Sequence, residues 1–461
     1  MNIHKEIFRA YDIRGQIDIN LNEQIAKQIG KAVGTKSIRA GQRNVAVGFD
    51  GRLSSPKLAQ AVIAGLLSCG CEVIDLGMIP TPVLYFATHH TQANSAIMIT
   101  GSHNPPDYNG FKITIGGDSL ANKQITELYH LIEKQDFNSR PQGKITTLDI
   151  KNDYLEAITS HIKLHKKLKV VIDCGNGVAG VIAPQLFAQL GCEVVELCCE
   201  VDGNFPHHHP DPAKLENLTI LINAVKQHNA DIGLAFDGDA DRVGVTTNSG
   251  KLIYPDVLLQ LFAQDVLSRN PKAQIIFDVK CSQQVAKTIQ HHNGKPLMWK
   301  TGHSLIKKKM RETGALLGGE MSGHIFFKER WFGFDDGLYS ATRLLEILSK
   351  SEQSADDLFN QFVQPLSTPE ISIKVKESEK FDIINNLQQI NAWQNGNVCT
   401  LDGIRVDYAD GFGLIRASNT TPLLIARFEA TTKKQLLNIQ HIFFTHLKQV
   451  AEHLNLNYEH I

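Results

Sequence analysis

The sequence has almost no net charge. Its 47 Lys and Arg face 48 Asp and Glu, a balance of −1, so no overall field draws the chain to nucleic acid or an anionic membrane. Eight cysteines are present, but there is no C-x-x-C and no zinc-type spacing. Cys69/Cys71 and Cys198/Cys199 are only close pairs, and all eight read as reduced core residues of a cytoplasmic protein. Long apolar runs are also missing. The more apolar stretches are broken by Glu72, Asp75, Pro80 and Pro82, so no membrane span is expected, and Met1 to Ile7 lacks the signature of a leader. With 42% hydrophobic and 21% charged residues over 461 positions, the chain reads as an ordinary folding sequence of three or four domains. Nothing in it calls for an obligate protein partner.

What is present is a unit that occurs three times. In the first copy Val45-Ala46-Val47-Gly48-Phe49 reads as a buried strand. Ser55 is expected to cap a helix that has Pro56 at its first position and an apolar face of Leu58, Val62, Ile63, Leu66 and Leu67. Gly70 ends it, and a strand resumes at Cys71. The second copy starts at Val170-Val171-Ile172-Asp173 and the third at Ile275-Ile276-Phe277-Asp278. Each copy closes with a further apolar strand and a polar loop. The three loops are Thr100-Gly101-Ser102-His103-Asn104-Pro105, Asp237-Gly238-Asp239-Ala240-Asp241-Arg242 and Gly319-Glu320-Met321-Ser322-Gly323-His324.

This pattern predicts an α/β fold: three similar α/β domains with mixed, largely parallel sheets, whose ligands sit beyond the strand ends. After Pro369 it changes to strands at 371–375, 404–408, 413–416 and 423–428 and a helix at 433–450, a smaller α+β domain. Polar seams at 138–152, 247–251 and 349–369 place the domains at 1–149, 150–251, 252–364 and 365–461, and the three similar domains are expected to bring their loops to one central cleft.

Three carboxylates within five residues, Asp237, Asp239 and Asp241, repel one another unless a cation neutralises them. All-oxygen ligation favours a hard divalent ion; the alternative is a solvated acidic turn. An EF-hand is excluded, because Arg242 stands where that loop needs Gly and Asn248 where it needs Glu. Ser102 lacks the second Gly of a nucleophile elbow, since Asn104 stands there. It is either a turn serine or a phosphoserine that needs a nearby cation, and the Asp triplet offers a place for one. His103 and His324 are candidate proton-transfer groups, and Glu320 and Ser322 candidate sugar ligands. Arg416-Ala417-Ser418-Asn419-Thr420-Thr421-Pro422 gathers phosphate-binding groups in a sequence that also suits a turn. Arg14, Lys112 and Lys280 read by default as surface ion pairs. Adjacent His207, His208 and His209 are not expected to converge on one metal.

Taken together and in this order, the four loops resemble those of the α-D-phosphohexomutase family, and within it the bacterial phosphomannomutase/phosphoglucomutase branch. The resemblance runs nearly end to end and includes Phe8-Arg9-Ala10-Tyr11-Asp12-Ile13-Arg14-Gly15. It implies reversible phosphoryl transfer between C1 and C6 of mannose or glucose phosphates, through phosphorylated Ser102 and a hexose 1,6-bisphosphate. Ser102, Asp237, Asp239 and Asp241 would hold Mg2+. Glu320 and Ser322 would contact sugar hydroxyls, and Arg416, Ser418, Asn419 and Thr420 the non-reacting phosphate. Tyr11, Arg14, His103, Lys112, Arg242, Lys280, His303 and His324 would line the cleft, with His324 the first choice for proton transfer. The amino-sugar branch of the family usually carries Gln where this loop has Met321, which favours neutral hexoses. Phosphoglucosamine mutase, a metal-dependent sugar phosphatase and a sugar-phosphate sensor are the alternatives.

Overall fold

The computed structural model describes residues 3–393, 395–419, 421–454 and 456. Four sheets follow one another along the chain. In the first, the strand Asn44–Phe49 pairs in parallel with Glu72–Met78 on one side and Ser95–Ile99 on the other. In the second, Lys169–Asp173 lies between Glu193–Leu197 and Ile232–Phe236, again parallel. In the third, Gln274–Asp278 lies between Lys295–Trp299 and Leu317–Gly319.

The strand that opens each repeat is thus central, and the strand before each polar loop is its neighbour. An antiparallel strand follows every loop: Tyr108–Ile115, Val243–Thr247 and Ile325–Phe327. The central strands are apolar and buried almost throughout, as strands covered on both faces must be. The fourth sheet is antiparallel, built on Ile404–Tyr408, Gly411–Ala417 and Leu423–Ala430, and is packed by the helices Lys380–Gln388 and Lys433–Val450. No helix among the described residues is long and apolar enough to cross a membrane.

Three local expectations need correction. Ser54, not Ser55, is the N-cap of the helix Ser55–Ser68, and its side chain makes no cap bond; the Ser55 hydroxyl instead donates to Asp50 at 2.5 Å. The strand Leu252–Ile253 pairs with Val243–Thr247, so the second sheet runs past the seam expected at 251, because the polar stretch 247–251 is the turn of a hairpin. The helix Lys380–Gln388 and the short edge strands Leu366–Ser367 and Asn397–Cys399 were not foreseen.

Packing ties the first three domains together. One apolar cluster contains Ile79 and Met98 from the first, Ile172 and Phe236 from the second, and Phe262 and Leu338 from the third. The fourth domain has its own cluster around Ile404, Phe428 and Phe443. Asp336 is a polar knot in the shared core. It caps the helix Gly337–Lys350 by accepting Tyr339 N–H at 2.8 Å, and it accepts Tyr154 OH from the second domain at 2.9 Å and Trp331 Nε1 at 3.1 Å. Burial pushes its carboxyl up to about 7 despite these donors. Asp336→Ala removes a cap and strands two buried donors, at about 1–3 kcal/mol for each stranded donor. Its melting temperature should fall by several degrees in a calorimetric scan, with kcat per folded molecule unchanged.

Candidate active site

Ser102 lies three residues beyond the strand Ser95–Ile99, in a turn with φ +48°, an uncommon value for a residue with a side chain. Its hydroxyl is buried, donates to Asp237 Oδ2 at 3.0 Å and lies 3.2 Å from His103 Nδ1. Burial, then the charges of Arg242 and Arg14, press His103 well below the usual histidine range, so it is neutral.

The loop is held in this shape by Arg52, a residue that sequence reasoning passed over. Its fully buried guanidinium donates to four carbonyls of the loop: Ser102 and Asn104 at 2.7 Å, Pro105 at 2.5 Å and Tyr108 at 3.0 Å. Asp50 anchors the fifth donor at 3.2 Å and also accepts Thr100 Oγ1 at 2.7 Å. The Phe205 ring of the second domain covers the guanidinium at 5.0 Å. Gly101 is required here, because a Cβ would come within 2.5 Å of Arg52 Cζ. Lysine cannot supply five donors in a fixed fork. Arg52→Lys should therefore lower kcat about tenfold or more with little change in KM, as expected for a misplaced nucleophile; steady-state kinetics on correctly folded protein checks this.

The Asp237 loop meets Ser102 directly. A Cβ at Gly238 would lie 2.3 Å from the Ser102 carbonyl oxygen, so only glycine allows this approach. Asp237, Asp239 and Asp241 are all fully buried, with ligand atoms within 4.8 Å of one another. Thr81 of the first domain donates to Asp239 Oδ2 at 2.5 Å. Lys112 sits 2.6 Å from the same oxygen and also contacts Asp241. Burial opposes the Lys112 charge, but the two aspartates raise its pKa well above normal. Burial, reinforced by Asp241 and Asp239, pushes Asp237 well up. For Asp241, Lys112 and His324 outweigh burial and push it well down. Asp239 Oδ1 is buried without a hydrogen-bond partner among the described residues. An orphaned carboxylate oxygen inside a buried cluster of three fits a hard cation and does not fit a solvated turn.

The third loop closes over this cluster. His324 Nε2 lies 3.3 Å from Asp241, and its Nδ1 lies 3.1 Å from Glu320 and 2.8 Å from Ser322 Oγ. Burial lowers the imidazole, but Asp241 and then Glu320 more than reverse this and set it at about 9. His303 and Lys307 stand one helical turn apart on the helix His303–Thr313 and share Asp335, at 3.4 and 2.8 Å. Lys307 and Asp335 were not foreseen. The i, i+4 spacing of His303 and Lys307 is a signal that could have found the lysine.

Across the site, Tyr11 OH donates to the Thr301 carbonyl at 2.8 Å and meets Asn419 of the fourth domain. Arg416 pairs with Asp402 at 3.1 Å, and Lys280 with Glu370 at 2.7 Å. Ser418 accepts Thr421 Oγ1 at 2.7 Å; Thr420 lies outside the described residues. Arg14 bonds Asp12 at 2.6 Å and Asn104. Arg14, Lys112 and Lys280 are buried or nearly so, which corrects their default reading as surface pairs.

Models of four domain families match in succession: phosphoglucomutase/phosphomannomutase α/β/α domains I, II and III at residues 5–139, 152–250 and 254–366, and the C-terminal domain at 370–446. The chain belongs to the phosphoglucomutase/phosphomannomutase family. It is 59% identical to a phosphomannomutase/phosphoglucomutase of Pseudomonas aeruginosa over 97% of this chain and 96% of that one. It is 52% identical to a phosphoglucomutase of Neisseria meningitidis over 96% of each. A crystal structure of a family member from Burkholderia thailandensis superposes with a TM-score of 0.95 at 49% identity, covering 99% of this chain and all of that one. The candidate site residues thus fall within all four matched domains.

Proposed function

We propose that the protein interconverts hexose 1-phosphates and hexose 6-phosphates, with mannose and glucose as the sugars, through a phosphoryl group carried on Ser102. The observation that carries this reading is the buried hydrogen bond from Ser102 to Asp237, which sets a nucleophilic oxygen against a carboxylate cluster with an orphaned oxygen. Neither a turn serine nor a plain acidic turn accounts for both.

Asp237, Asp239, Asp241 and an oxygen of phosphorylated Ser102 would hold Mg2+, whose charge offsets that of the transferring group. Lys112, Arg242 and Arg14 add fixed positive charge around the same oxygens. Arg416, Ser418, Asn419 and Thr420 take the non-reacting phosphate, with Lys280 and Tyr11 beside them. Glu320 and Ser322 take sugar hydroxyls. His324 lies between Glu320 and Asp241 and is the group assigned here to proton transfer with the reacting sugar hydroxyl. The sugar hydroxyl attacks phosphorus, the bond from phosphorus to Ser102 Oγ breaks, the hydroxyl's proton passes through the Glu320–His324 pair and ends on the serine oxygen, and a hexose 1,6-bisphosphate forms. It turns end over end and returns its other phosphate to Ser102. The fourth domain has its own core and meets the third at a small apolar seam of Val279, Phe412 and Leu414, the seam about which it would swing while the bisphosphate turns.

The test is phosphorus NMR with magnesium and a trace of glucose 1,6-bisphosphate, offering mannose, glucose and glucosamine 1-phosphates in turn. Conversion of the first two to 6-phosphates without inorganic phosphate is the expected result. Preferred turnover of the glucosamine compound would move the assignment to the amino-sugar branch. Phosphate release would make it a phosphatase, and binding without turnover a sensor.

A further inference from the structure

The histidine run at 207–209 takes no part in this mechanism, and its three rings go three ways. His207 Nδ1 faces Asn176 Oδ1 at 2.8 Å, and His209 reaches the His103 carbonyl. His208 Nε2 lies 3.0 Å from both carboxylate oxygens of Asp173. Asp173 ends the central strand of the second sheet, opposite Leu197 in the parallel register, so the residue after Leu197, Cys198, emerges beside it. The ligating atoms of Asp173, Cys198 and His208 lie within 4.8 Å of one another.

We propose that Asp173, Cys198 and His208 form a second metal centre, for a borderline-soft divalent transition ion of the zinc class, separate from the all-carboxylate loop.

The hydrogen-bond pattern at His208 asks for a cation. Nδ1 lies 3.0 Å from the His209 carbonyl oxygen, which can only accept, so Nδ1 carries the hydrogen. In a neutral ring Nε2 then turns a lone pair toward two carboxylate oxygens that also only accept. A second proton, held by the ion pair with Asp173, resolves this, and a metal ion taking that proton's place resolves it equally. An N–H anchored on a backbone carbonyl, with the other nitrogen aimed at the ion, is how ligating histidines are usually held. Nitrogen, thiolate and carboxylate are the donors zinc takes, with water completing a tetrahedron. Donors around such an ion stand about 3.5 Å apart, so His208 backs away from Asp173 and the Cys198 thiol closes in, its proton released to solvent as the ion binds.

Asp173 is fully buried while Cys198 and His208 are partly exposed, which leaves the site a path from solvent. Cys198 holds φ +48°, a strained value for this residue type. Its neighbour Cys199 is engaged elsewhere, 3.4 Å from Cys174 Sγ. An ion here would brace the 207–211 loop, whose Pro210 packs 3.0 Å from where a Cβ at Gly175 would lie and 3.4 Å from one at Gly238 in the carboxylate loop. The centre is structural, not catalytic.

Cobalt(II) added to the full-length protein in excess magnesium tests this. A thiolate-to-cobalt charge-transfer absorption saturating at one ion per chain is expected. It should be absent in Cys198→Ser, at least about tenfold weaker in apparent affinity in His208→Gln, and retained in Cys199→Ser. Cobalt held by Asp237, Asp239 and Asp241 gives no such absorption. On the wild type, stoichiometric zinc should slow alkylation of Cys198 at least tenfold by peptide mass spectrometry, a readout that needs no variant to fold. Absence of the thiolate band, its survival in Cys198→Ser, its loss in Cys199→Ser, or alkylation of Cys198 indifferent to zinc would each overturn the proposal.

Discussion

Ser102→Ala should lower the turnover of glucose 1-phosphate by at least about a hundredfold in kcat, with binding of the substrate nearly intact. In the proposed mechanism the serine oxygen is the atom that would receive and return the phosphoryl group, whereas the sugar and its other phosphate would be gripped by residues of the third and fourth domains. The fold should tolerate the change. Alanine and serine share the same Cβ, so the left-handed turn at φ +48° is no more strained in the variant, and Arg52 still holds the Ser102 carbonyl rather than its side chain. Two measurements separate loss of the nucleophile from loss of structure. After incubation with glucose 1,6-bisphosphate, intact-mass spectrometry should find one phosphoryl group on the wild type and none on Ser102→Ala. Isothermal titration should give similar affinities of the two proteins for glucose 1-phosphate. Full turnover in a clean Ser102→Ala preparation, or a phosphoryl group carried by another residue, would remove Ser102 from the mechanism.

Asp239→Asn should raise the magnesium concentration for half-maximal activity at least about tenfold. Asn keeps the size of the side chain and can still accept the Thr81 hydroxyl, but the carboxylate charge is gone. In the wild type, three fully buried carboxylates are balanced by the single ammonium of Lys112 on two of them and by Arg242 and His324 at their edge. Binding a cation relieves that repulsion, so saturating magnesium should raise the melting temperature of the wild type, by mass action on the folded state. Asp239→Asn should show a smaller rise at the same concentration. The thermal measurement requires no substrate, so it reports on the ion site alone. Superimposable magnesium titrations of the two proteins, in activity and in melting temperature, would rule out this ion site.

Much of this was legible in the sequence for local reasons. Buried parallel strands are apolar in one continuous run, helices between them show a 3.6-residue apolar face, and polar loops stand out where those runs stop. That was enough for the threefold repeat, for a smaller α+β fourth domain and for the terminal helix, observed at Lys433–Val450. Short polar edge strands such as Asn397–Cys399 carry no such signal, since half their surface faces water. Asp237, Asp239 and Asp241 announced themselves because three like charges within one turn demand an explanation wherever they sit.

What a polar side chain meets across the chain is a different matter. Arg52 carried no local signal, yet its five donors are all used, four of them on carbonyls fifty or more residues away. Asp335, Thr81 and Lys307 gave equally little away, and Lys112 read as a surface cation although it is the counter-charge of the carboxylate cluster. Of three adjacent histidines only His208 meets Asp173. The sequence by itself determined the repeats, the strands and the composition of each loop, because these depend on neighbours along the chain. Which loop residues converge was decided by strand order within each sheet and by the core shared among three domains. Those bring together atoms separated by more than a hundred residues, and no local pattern encodes that distance.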